Sequence, residues 1–126
     1  MSEVKELVGK ALSSIEVIRD VSNGEDKILF QCDDVTTYIM FHKQSCCESV
    51  TIDDICGDLR DLIDTPILEA REDTNNKNPE GIVKECQREF LWTFYNFQTA
   101  KGHVTIRWYG NSNGYYSVSV NFEKID

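Results

Sequence analysis

Several signatures are missing from this chain, and each absence removes a class of function. No apolar stretch approaches the roughly 18 residues that a membrane-crossing helix requires. The N-terminal MSEVKELVGK has neither the basic start nor the apolar centre of a secretion signal, so a cytoplasmic location and no membrane partner are expected. Phosphate-cradling GxxxxGK[ST] and GxGxxG loops, the zinc-binding HExxH and the nucleophile elbow GxSxG do not occur, and no catalytic residue is assigned. Nor is there a CxxC or HxxxH pair, so His42, Cys46, Cys47 and Cys56 make a poor zinc set and neither metal nor cofactor is expected. Positive charge is scarce: 13 basic against 22 acidic residues leave a net −9, which repels phosphate backbones and argues against general nucleic-acid binding. Five cysteines are an odd number, and in a reducing cytoplasm all five are expected as free thiols.

What is present suits one domain over residues 1–126, with enough hydrophobic residues for a single core. Val4, Leu7, Val8 and Ala11 are spaced for a turn or two of helix, weakened by Gly9. Ser14 to Val21 and Lys27 to Cys32, on either side of Ser22-Asn23-Gly24, predict a hairpin. Thr36 to His42 is β-branched and aromatic, as in a central strand. Ile55, Leu59, Leu62 and Ile63 follow a helical period, and Asp53 and Asp54 fall where a helix dipole favours acids, so the main α-helix is placed over 51–64. The remaining acids, Glu48, Asp58 and Asp61, are read as its solvated start and face. Ile67 to Ala70 follows as a short edge strand, and residues 72–89 as an exposed polar loop with one helical turn near Ile82 to Glu85. Phe90 to Gln98, His103 to Gly110 and Tyr115 to Glu123 complete a β-meander. The expected fold class is therefore α+β: one antiparallel sheet of about six strands with one main helix packed on it.

Register within the last hairpin suggests a site, because a one-residue slip exchanges the two faces of a strand. A three-residue loop Ser112-Asn113-Gly114, with Gly114 left-handed, sets Trp108 by Val118, Ile106 by Val120 and Val104 by Phe122. The other face then carries Thr105, Arg107 and Tyr109 opposite Ser117, Ser119 and Asn121. The preceding strand adds either Trp92, Phe94 and Asn96 or Thr93, Tyr95 and Phe97, depending on the length of the Ala-Lys-Gly turn. Arginine among aromatics and small polar groups suits a planar anionic ligand, and an ordinary solvated sheet face explains the same residues more simply.

Three segments carry a resemblance: HKQSCCESVTIDDICGDLRDLIDTPILEA (42–70), WTFYNF (92–97) and GHVTIRWYGNSNGYYSVSV (102–120). Together they resemble a family of small uncharacterised proteins encoded by tailed phages and by prophage-bearing bacterial genomes. The chain departs from that pattern at Ser45 and after Ser117, where the family has an acid, and at Asp64, where it has Gly. Size, acidity and strand-rich layout are also similar to the phage Thoeris anti-defence proteins, oligomeric sponges that bind cyclic ADP-ribose isomers without cleaving them. That resemblance implies a non-enzymatic anti-defence protein in the host cytoplasm that sequesters a small nucleotide-derived signal, of cyclic ADP-ribose or cyclic oligonucleotide type, as a homodimer or larger assembly. On this expectation Arg107 holds phosphate, Trp92 or Tyr109 stacks, Asn96 or Asn113 reads polar edges, and Tyr115 and Ser117 complete the ligand-binding set. Two alternatives stand beside it: an acidic inhibitor that binds a host defence nuclease or effector, and a small phosphodiesterase-like enzyme.

Overall fold

Alternation of buried and exposed side chains, rather than helical spacing, governs the chain from Leu12 onward. The computed structural model describes residues 3–20, 25–45, 47–82, 89–114 and 116–125. Strand β1 (Leu12–Asp20) and strand β2 (Glu25–Cys32) form the expected hairpin, with Ile15 opposite Phe30 and Val17 opposite Ile28; its turn lies outside the described residues. Strand β3 (Thr37–Phe41) pairs with β2, so the expected central strand is central. The other strands are β4 (Ser49–Cys56), β5 (Glu69–Asn75), β6 (Glu89–Gln98), β7 (His103–Ser112) and β8 (Asn121–Lys124).

These eight strands make two four-stranded antiparallel sheets, ordered β1-β2-β3-β8 and β4-β7-β6-β5. The expected single sheet with a main helix is therefore corrected to a nearly all-β, two-sheet architecture. The two sheets share one core. Phe30 of β2 meets Phe97 of β6 with ring centroids 5.9 Å apart, and Trp108 Nε1 of β7 donates to Met40 Sδ of β3 at 3.2 Å. Leu12, Ile28, Phe30, Met40, Tyr95, Phe97, Ile106 and Trp108 are fully covered in this layer. Two such faces bury each other as a sandwich does, which explains why no helix is needed to cover either one.

The helix expected over 51–64 is replaced by β4 and a single 3-10 turn, Leu59–Leu62. Val50 and Ile52 point inward at period two, and the β-branched run Val50-Thr51-Ile52 fits a pleated surface. Gly57 then breaks any continuous helix. Its φ is 101°, and a Cβ there would lie 2.4 Å from the carbonyl oxygen of His103. Asp58 starts the 3-10 turn by accepting the Arg60 N–H at 2.9 Å. Ile55, Leu59 and Leu62 still reach the core, but from a strand and a turn rather than from one helical stripe.

Near the N-terminus the helical spacing yields only the 3-10 turn Val4–Leu7, whose Val4 and Leu7 are buried. Strand β5 runs on to Asn75, into the stretch expected as loop from residue 72; the helical turn expected near Ile82 to Glu85 falls mostly outside the described residues. The meander is corrected at its last strand. β7 lies between β4 and β6, residues 117–120 carry no ladder, and β8 joins β3 in the other sheet. Val104, Ile106, Trp108, Val118 and Phe122 are nonetheless all buried, because alternation sorts side chains by face whichever strand is the neighbour. Gly114 does adopt a left-handed φ of 92°.

Candidate binding surfaces

The register of β6 against β7 settles which residues share the outer face of the second sheet. Trp92 lies opposite Tyr109, Phe94 opposite Arg107 and Asn96 opposite Thr105, so Trp92, Phe94 and Asn96 join Arg107 and Tyr109. The outer face continues across β4, where the register shifts between Ile52 and Asp54. This bulge inserts one extra residue and brings both Asp53 and Asp54 toward Arg107.

Arg107 is consequently held by its own sheet. Its Nε donates to Asp53 Oδ2 at 2.8 Å, its Nη2 lies 2.6 Å from the same oxygen, and Asp54 Oδ2 is 3.9 Å away. The guanidinium also sits over the Trp92 ring, 5.3 Å from its centroid. Trp92 itself is fully covered: Tyr109 tilts against it at 4.5 Å, and its Nε1 donates to Asn78 Oδ1 at 3.1 Å. A ligand cannot stack on Trp92 unless these neighbours move. Asn96 Oδ1 accepts from Thr105 Oγ1 at 2.7 Å. Of the other expected site residues, Asn113 is exposed in the turn after β7 and Ser117 shares a hydroxyl hydrogen bond of 2.8 Å with Ser119, away from the Arg107 ladder. Tyr115 lies outside the described residues.

A second feature, not found from sequence, is a buried pair between His42 and Glu48. Their side chains are 4% and 0% exposed, and His42 Nε2 lies 2.8 Å from Glu48 Oε2. His42 Nδ1 lies 2.6 Å from the carbonyl oxygen of Ser119. Glu48 also accepts the Ser45 N–H at 2.9 Å. The expectation of five free thiols is corrected here. Cys47 is disulfide-bonded, whereas Cys32 and Cys56 are free. Cys32 is buried, and desolvation raises its thiol pKa; Cys56 is exposed, with its thiol pKa raised chiefly by its hydrogen bond to Asp54. Among the described residues no group of three His, Cys, Asp or Glu side chains is placed to hold a metal ion.

The third feature is a cleft of about 500 Å³ between the two sheets. One wall is residues 70–72 of β5, the other is residues 119–122 leading into β8, and residues 3–5 of the first 3-10 turn complete it. Glu72, on the cleft wall, pairs in register with Tyr95. The Tyr95 hydroxyl is buried beside Glu72, and burial, reinforced by that carboxylate, pushes its pKa far above the ordinary tyrosine value.

A family model described as Domain of unknown function (DUF7448) matches residues 5–122. The chain belongs to that family. The match spans both sheets, from the first 3-10 turn into β8, and takes in the Arg107 face, the His42–Glu48 pair and all of the cleft's lining except Glu3 and Val4. No curated protein and no solved structure matches the chain. Among the described residues no helix is long and apolar enough to cross a membrane.

The segments that carried the phage-family resemblance fall on turns and pairings with a physical role. Cys-Cys-Glu-Ser supplies Glu48 to the His42 pair, Gly-Asp-Leu supplies the close approach at Gly57 and the cap at Asp58, and Ser-Asn-Gly supplies the turn after β7. Asp64 has a left-handed φ of 61°.

Proposed function

We propose that this protein acts by binding, without catalysis, and that it occupies a basic surface of another protein as an acidic inhibitor. The observation that carries this reading is the Arg107–Asp53 pair. A phosphate approaching Arg107 would meet a carboxylate already 2.6 Å from the guanidinium, with Asp54 beside it, and could use the cation only by displacing Asp53. The excess charge of the chain is negative, at −9, and such a field attracts cationic partners and speeds their association. The nucleotide-sponge reading is therefore less favoured than protein binding. In the phage or prophage setting implied by the sequence resemblance, the partner class is a host defence nuclease or effector that presents a basic groove.

Immobilised protein challenged with host lysate tests this reading at about 0.1 M and about 1 M salt, over which the Debye length falls from about 10 Å to about 3 Å. Bound proteins and bound small molecules are both identified. The expected result is a basic protein retained at low salt and released at high salt, with no retained nucleotide. A nucleotide recovered intact at both salt concentrations would contradict the proposal and restore the sponge.

A further inference from the structure

The cleft is bounded by the free edges of two different sheets. β5 ends the order β4-β7-β6-β5 and β8 ends β1-β2-β3-β8, so each presents a row of main-chain groups with no strand beside it among the described residues. Both walls are runs of consecutive residues, 70–72 and 119–122. Since successive side chains alternate in direction, a wall that includes every residue of a run exposes main chain as well as side chains. Val4, Val120 and Phe122 offer apolar contacts within the cleft. Its volume, about 500 Å³, lies within the range of ligand-holding cavities, roughly 300–1,000 Å³.

The charges around the cleft are unbalanced. Residues 3–6 and 69–73 carry five carboxylates (Glu3, Glu6, Glu69, Glu72, Asp73) against two cations (Lys5, Arg71). Lys5 is already bridged to Glu3 at 2.9 Å, and Arg71 to Glu69 at 3.0 Å and Asp73 at 2.8 Å. Glu72 makes no ion pair among the described residues, and its carboxylate stands beside the buried Tyr95 hydroxyl. Open edges, apolar contacts and a carboxylate without a cation partner together describe a seat for a strand that brings its own main chain and a cation.

We infer that an extended basic segment of the partner protein binds in this cleft as an added strand, hydrogen-bonded to the β5 and β8 edges, with a Lys or Arg directed at Glu72. The inference rests on the protein-binding reading above and gives it a location. Main-chain bonds supply affinity in this mode, and pockets for alternate side chains supply specificity. A second copy of this chain fits less well, because two β5 edges would bring the same acidic excess together.

The test uses the full chain and a fluorescent, short alternating lysine–valine peptide as probe, with two companions: the same peptide N-methylated at alternate residues, and a glutamate–valine version. Anisotropy titrations are combined with amide hydrogen exchange. Only the unmodified basic peptide is expected to bind well, with protection gained at residues 69–75 and 119–124. Glu72→Lys, at an exposed edge position and therefore expected to leave the fold intact, should weaken that binding about tenfold and improve binding of the acidic peptide. Equal binding of the N-methylated peptide, an unaffected Glu72→Lys variant or protection elsewhere would overturn the strand-addition site while leaving the acidic-surface reading in place. Failure of every basic probe to bind at low salt would remove both. Protection of the same residues in the probe-free protein, together with a dimer mass by light scattering, would assign the cleft to a second copy and overturn the inference.

Discussion

Removing the guanidinium of Arg107 takes the cation away from Asp53, whose side chain is only 20% exposed, and uncovers one face of Trp92. Arg107→Ala is therefore expected to destabilise the fold by about 1–3 kcal/mol, the cost of losing a charge-assisted hydrogen bond at a partly desolvated carboxylate. A denaturant titration measures this, and an unchanged midpoint would show the pair to be incidental. The alternation of β7 already placed Arg107 on a face with Tyr109 in the sequence, but Asp53 was not legible there. Its approach depends on a bulge, and the acids at 53 and 54 match the start of a helix equally well. Tyr95 gives a second test at this scale. Its folded pKa is raised, so the native state keeps the proton that the unfolded chain loses near pH 10. Its contribution to stability is complete below about pH 10 and declines above it, as the unfolded state becomes the weaker proton binder. Ultraviolet titration should find one tyrosine that ionises only on unfolding, and Tyr95→Phe should flatten the alkaline loss of stability.

Between Ser49 and Leu62, the positions Ile55, Leu59 and Leu62 fit a helical period, yet the chain forms a strand, a glycine break and a 3-10 turn. Periodicity over so few residues is ambiguous because a bulged strand followed by a turn can present apolar side chains at the same spacing. The hairpin β1–β2 and strands β3, β6 and β7 were legible, since each has enough alternation or β-branched content to determine its own type. The partners of β7 were not, because pairing is a long-range choice that local pattern leaves open. Gly57→Ala separates the two structures by sign. Within a helix the change would stabilise by about 1 kcal/mol. At a φ of 101°, with the His103 carbonyl 2.4 Å from the new Cβ, it must destabilise, by more than about 1 kcal/mol. Thermal or chemical unfolding gives that sign directly.

For the whole molecule, the sequence showed the acidity, the antiparallel strands of its hairpin and the lack of catalytic motifs, whereas the second sheet, the loss of the main helix and the cleft between the two sheet edges emerged only in three dimensions. A −9 chain whose central arginine is already paired is better suited to a cationic partner than to a phosphate ligand. The most direct test of this account is ligand capture by Arg107→Ala, measured beside wild type across a salt series. The variant, though less stable, is expected to retain the same basic protein partner with an affinity within about twofold and the same steep loss with salt, because Arg107 lies outside the proposed binding surface. A folded Arg107→Ala protein that has lost a salt-insensitive nucleotide ligand retained by wild type would contradict it.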